Sequence, residues 1–98
     1  MFTRIVKMTF KPENTEKFIA HFDSVKEQVR NQPGCHQVLL FQDKNDKNIF
    51  FTYSLWENES DLDRYRHSDF FKEVWIETKS LFDAKPEAWS LDELIRMD

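Results

Sequence analysis

An α+β domain in the order β-α-β-β-α-β, its four strands in one antiparallel sheet, is predicted by three features of the chain. Phe2 to Phe10 alternates with a period of two, the mark of a strand. Two further strand-like runs, CHQVLLFQ and IFFTYSLW, flank a turn-rich DKNDKN and read as a hairpin. Apolar stripes at helical spacing precede and follow that hairpin.

Each element has local support. The first strand places Phe2, Arg4, Val6, Met8 and Phe10 on one face and Thr3, Ile5, Lys7 and Thr9 on the other, and Pro12 ends it. Asn14 or Thr15 then caps a helix with Glu16 in its first turn, where the helix dipole favours negative charge. Phe18, Phe22, Val25 and Val29 form its buried stripe, Lys26 and Arg30 lie near its C-terminus, and Pro33-Gly34 stops it. The hairpin strands are Cys35–Gln42 and Ile49–Trp56. Asn58 to Asp61 starts a second helix that carries Leu62 and Tyr65 inward, and Ser68-Asp69 starts a third bearing Phe71, Val74, Trp75, Thr78 and Phe82. These two pieces are expected to form one bent unit. Residues 84–91 (AKPEAWSL) read as a short closing strand, with Pro86 at its start or on an edge. Ser90-x-x-Glu93 resembles a capping box, which predicts a helical turn over 91–97 carrying Leu94 and Ile95. The whole is one domain, residues 1–98 with a core over 2–91, and its order is that of the ferredoxin-like split β-α-β arrangement.

Composition excludes several function classes. Fourteen Lys and Arg against eighteen Asp and Glu give a net charge of −4, without the basic stripe of a nucleic-acid binder. A single cysteine leaves no internal disulfide and no multi-cysteine zinc site, which suits a reducing compartment. MFTRIVKMTF lacks the continuous apolar stretch of a signal peptide, and no apolar run is long enough to span a bilayer. A cytoplasmic protein with neither a nucleic-acid nor a membrane partner is therefore expected. Ten phenylalanines and three tryptophans in so short a chain point to an aromatic interior.

The hairpin strands raise a further expectation. Val38 to Phe41 and much of Ile49 to Trp56 are apolar on both faces, yet two helical units cover only one face of the sheet. An apolar sheet face of that size is larger than soluble monomers leave open. A second copy of the same sheet is the economical cover, so a homodimer through the sheet face is predicted.

The runs RIVKMTFKPE, F-x-x-x-F in the first helix, PGC before the second strand, FFTYSLWE, YRHSDFF and KPEAWS resemble the antibiotic biosynthesis monooxygenase (ABM) family over about residues 2 to 91. The resemblance implies a dimeric α/β barrel with a ligand pocket between the sheet and the helices of each protomer. It implies small-molecule chemistry: cofactor-independent oxygenation of polyketide phenols or quinols, or haem degradation. The positions of the haem-degrading members' asparagine, tryptophan and histidine fall at Val6, Tyr65 and Trp75, so no imidazole is on hand for iron and no cofactor is expected. Other relatives carry His-x-x-Ser-x-His at the turn that reads Tyr65-Arg66-His67-Ser68-Asp69-Phe70 here, so both histidines are replaced.

Within that frame Tyr65, His67 and Trp75 are the candidate catalytic residues, and Val6, Phe22, Tyr65, Phe71 and Trp75 the candidate substrate-binding ones. Oxygenation without a cofactor needs a substrate that loses a proton to give an electron-rich anion, a dry aromatic pocket, an orienting donor and a base. The Tyr65 hydroxyl and the Trp75 indole N–H can donate, or can simply bond to backbone inside a core. His67 suits a base, or sits exposed before the Ser68 cap. Cys35 and His36 point to opposite faces and cannot act together, His21 is expected in solvent, and no metal site is predicted. Cys35 reads as a small buried hydrophobe. Arg4 points into the pocket, favouring an anionic substrate, or pairs at its rim. ENESDLD with Arg64 and Arg66 reads as a solvated helix face.

Two functions follow: a cofactor-independent monooxygenase of a small aromatic, polyketide or quinol-like molecule, or a non-catalytic dimeric barrel that binds or senses a small apolar ligand. RNA binding through the sheet is rejected, because KNIFFTYSLW has aromatics but neither glycine nor a basic context.

Overall fold

In the computed structural model, which describes residues 1–98, strands β1 (Phe2–Thr9), β2 (Cys35–Gln42), β3 (Ile49–Trp56) and β4 (Glu87–Leu91) form one sheet. Their spatial order is β2-β3-β1-β4, and every neighbouring pair is antiparallel. The predicted ferredoxin-like α+β fold is what the chain adopts. β1 and β3 are the central strands, and their register runs from Phe2 opposite Trp56 to Thr9 opposite Ile49. Helices α1 (Thr15–Arg30), α2 (Glu59–Arg66) and α3 (Asp69–Ser80) complete the β-α-β-β-α-β order.

Local chemistry sets the boundaries. Asn58 and Asp61 form a reciprocal capping box on α2, and the Ser68 hydroxyl accepts the Phe71 N–H at 3.1 Å to start α3. Two separate caps make two consecutive helices, with His67 and Ser68 between them. Asn14 occupies the N-terminal boundary of α1 without capping it. Its side-chain amide instead donates to the Leu81 carbonyl at 3.3 Å, tying the start of α1 to the end of α3. In the hairpin the Asp43 carboxylate accepts from the N–H groups of Asn45 and Asp46.

Three expectations are corrected. The last strand is shorter than residues 84–91, beginning at Glu87. Residues 92–98 carry no helical turn, because Ser90 lies within β4 and its hydroxyl accepts from Arg4 at 3.0 Å instead of capping. His21 is buried at 9% exposure, since α3 crosses α1 at this point.

A register shift between Cys35 and Gln37 bends β2. It lets Cys35 share the inner face with Phe2, Trp56 and Leu62 while Val38 and Leu40 face inward as well. His36 is the residue left over at the bulge, and it reaches Glu57 at 3.5 Å. On the opposite face of the sheet Leu39, Phe41, Trp89 and Leu91 are exposed, Phe41 by half.

Candidate functional site: an aromatic cavity between sheet and helices

The inner face of the sheet carries large side chains at its ends and small or polar ones between. Phe2, Trp56, Cys35 and Leu62 pack one end; Met8, Phe10, Phe50 and Phe18 pack the other. Between them lie Val6, Thr52, Ser54, Val38 and Ala88, which are too short to reach the helices. The unfilled space is a cavity of about 280 Å³ bounded by the sheet, the apolar stripe of α1, and Leu62, Tyr65, Phe71, Val74 and Trp75 of α2 and α3.

The aromatic wall is a continuous series. Trp56 stacks on Tyr65 with centroids 5.4 Å apart, Phe71 meets Tyr65 edge-on at 5.0 Å, and Trp75 stacks on Phe71 at 5.8 Å. The five substrate-binding candidates, Val6, Phe22, Tyr65, Phe71 and Trp75, all line this cavity.

Two polar groups of that wall have no protein partner. Trp56 satisfies its indole N–H on the Ser54 hydroxyl at 2.9 Å, whereas the Tyr65 hydroxyl and the Trp75 indole N–H donate to no protein group and remain open to solvent. Burial, above all, and the neighbouring Cys35 push the Tyr65 phenol far up, so it remains a protonated donor and is no base.

Arg4 and Arg66 also line the cavity. The Arg4 guanidinium is disfavoured by burial first and by the like charge of Arg66 second, with Asp63 opposing. Arg66 is exposed, as its solvated helix face predicts, and it also lines the cavity. α2 presents it beside Tyr65 at the mouth, one residue further along the same turn.

His67 is not brought to this place. It is exposed at the C-terminal end of α2, its Nδ1–H donating to the Asp63 carbonyl at 2.7 Å, and it does not line the cavity. His21 lies between α1 and α3, its Nδ1 3.0 Å from the Glu77 carboxylate and its Nε2 3.2 Å from both the Val74 carbonyl and the Thr78 hydroxyl. Phe18, His21, Phe22 and Val25 fall on one side of α1 at helical spacing, which is the signal that marks His21 as inward. Burial also raises the Cys35 thiol, which marks it as a packed side chain rather than a nucleophile. No group of three metal-ligating side chains occurs.

The sequence pattern of the antibiotic biosynthesis monooxygenase family matches residues 1–75. The chain belongs to this family. An ABM crystal structure described as an antibiotic biosynthesis monooxygenase superimposes with a TM-score of 0.89 at 20% identity, covering 97% of this chain and 100% of the other, and so shares its fold. Among curated relatives, an uncharacterized protein of Synechocystis sp. is 32% identical over 76 residues, 78% of this chain. A protein of Haloarcula marismortui named for haem binding is 32% identical over 66 residues, 67% of this chain. The chain spans 51% of the length of the first and 10% of the second.

The cavity does not fit haem ligation. Neither an imidazole nor a thiol lines it, the Tyr65 phenol is held protonated, and Met8 is packed in the core at 2% exposure.

Proposed function

We propose that this ABM-family chain binds a small aromatic, polyketide or quinol-like molecule in the cavity and oxidises it with molecular oxygen, without a resident cofactor. The observation that carries the reading is the pair of unpartnered donors, the Tyr65 hydroxyl and the Trp75 indole N–H, set in an aromatic wall. They orient an oxygen-bearing ring and stabilise the charge that develops on it when it loses a proton to solvent water reaching the cavity mouth. The resulting anion gives one electron to oxygen, and the surrounding apolar wall keeps water from the radical pair. At a ring methylene, one oxygen atom ends as a carbonyl and the other leaves as water. Val6, Phe22 and Phe71 hold the ring in place.

A second reading is favoured by the position of His67 outside the cavity, which leaves no imidazole base within it. On that reading the chain binds or senses the ligand without turnover. We assign the working unit as a homodimer through the sheet face, supported by the exposed Leu39, Phe41, Trp89 and Leu91 on one apolar surface. No helix is long and apolar enough to cross a membrane, and a cytoplasmic setting suits the lone buried thiol.

Oxygen uptake decides between the two readings. Purified chain in the presence of a chelator is given 1,4-naphthohydroquinone or anthrone, with bound molecules followed by native mass spectrometry. Uptake that falls at least about tenfold in Tyr65→Phe and Trp75→Phe supports the oxygenase. Binding without uptake transfers the conclusion to the second reading. Phe41→Glu and Trp89→Glu should each convert a dimer to a monomer, and a wild-type monomer removes the dimer assignment.

A further inference from the structure

The cavity has one charged end. Arg4 projects from the inner face of β1 and Arg66 from the last turn of α2, and both line the same space near Tyr65. The other three arginines each have a partner: Arg64 pairs with Asp61, Arg96 with Glu93 and Asp98, and Arg30 donates to the Cys35 carbonyl. Arg4 meets only a neutral hydroxyl, that of Ser90 at 3.0 Å, and Arg66 forms no ion pair. Neither guanidinium forms an ion pair, although Glu87 also lines the cavity beside Lys7 and Asp63 acts on Arg4, so the two cations repel one another beside a partly buried, low-dielectric space. An anion seated between them relieves that repulsion and accepts charge-assisted hydrogen bonds from planar donors shaped for a carboxylate.

We propose that the ligand of this cavity is an aromatic carboxylate, its ring held by Tyr65, Phe71 and Trp75 and its acidic group by Arg4 and Arg66. The assignment rests on the reading of the cavity as an aromatic-ligand site and narrows it to acidic ligands. The acid lies at the mouth and the ring inside, an orientation that leaves the Trp75 indole N–H free for a second oxygen on the ring. The carboxylates of Asp63, which acts on Arg4, and Glu87, which lines the cavity, work against a dianion and favour a single acidic group.

The test compares 2-naphthoate with its neutral isostere 2-naphthamide at pH 7 and low salt, read by quenching of tryptophan fluorescence. The acid should bind at least about tenfold more tightly than the amide, and added salt should weaken only the acid. Arg66→Gln, on an exposed side chain, and Arg4→Gln should each bring acid and amide to within about twofold, chiefly by weakening the acid. Arg4→Lys, which keeps the charge, should recover part of the preference and guards against a folding defect in Arg4→Gln. Equal binding of acid and amide by the wild type overturns the carboxylate assignment and leaves the aromatic cavity standing. A preference for the acid that survives both glutamine substitutions overturns it as well. If neither probe binds, the cavity reading fails and the assignment fails with it.

Discussion

The Trp56 indole, 1% exposed, lies stacked on the Tyr65 ring with planes 25° apart, so the residue that fixes one end of the core also fixes the phenol at the cavity wall. The indole is itself held by its bond to Ser54, two residues back on the same strand face. Site and core are therefore joined through one contact.

That contact separates stability from function in a pair of variants. Trp56→Ala should cost about 3–5 kcal/mol, the range for removing a buried aromatic, and should abolish ligand binding along with the fold. Tyr65→Phe removes a hydroxyl with no protein partner and should change the urea midpoint by less than the equivalent of about 0.5 kcal/mol while weakening ligand binding. A large loss of stability in Tyr65→Phe would mean that the hydroxyl has a structural partner after all.

His21 joins α1 to α3 through the Val74 carbonyl, the Thr78 hydroxyl and the Glu77 carboxylate. His21→Ala should lower stability by about 2–3 kcal/mol, because it leaves a cavity and removes the polar ties from α1 to α3, while the Thr78 hydroxyl keeps its bond to the Val74 carbonyl. Glu77→Gln, with an exposed side chain, should cost less than about 1 kcal/mol. Equilibrium unfolding of both variants measures the difference.

Gly34 has a φ of 83°, and a Cβ added there would collide with the side chain of Asp61, the residue that closes the α2 capping box and pairs with Arg64. Gly34→Ala should therefore cost about 1–3 kcal/mol from strain alone and fray the start of α2. Hydrogen exchange should quicken at the first amides of α2 and leave α1 unchanged.

The buried Cys35 thiol should resist thiol reagents in the native protein at neutral pH and react at once in denaturant, because desolvation disfavours its thiolate. The same burial raises the Tyr65 phenol. Both groups keep their protons in the folded state at pH values where the unfolded chain releases them. Their contribution to stability is thus intact below the range where an exposed thiol ionises and declines as the pH rises through and beyond it. A stability profile that is flat from neutral to strongly alkaline pH would contradict this.

Much of the site could be read in advance because it depends on local periodicity. Tyr65, Phe71 and Trp75 fall inward by helical spacing from caps at Asn58 and Ser68, and Val6 and Phe22 follow from the alternation of β1 and the stripe of α1. His67 falls outside the cavity, whereas Arg66, exposed as expected, also joins its lining. A one-residue step along a helix turns a side chain by about 100°, and the end of α2 is where spacing alone leaves that angle undefined. The inward direction of His21 was written in its spacing from Phe18 and hidden by its polar character.

By itself the sequence determined the order of elements, the faces of the strands and the aromatic character of the interior, since each follows from residue period, turn chemistry and burial of apolar surface. Tertiary structure alone decided where space was left, through short Thr52 and Ser54 side chains between Phe50 and Trp56, and which charges met there. Arg4 and Arg66 lie sixty-two positions apart, and no local preference relates them. Only the packing of α2 over the sheet brings their guanidiniums to one cavity, because the positions of distant elements are set by how their side chains fill the space between them.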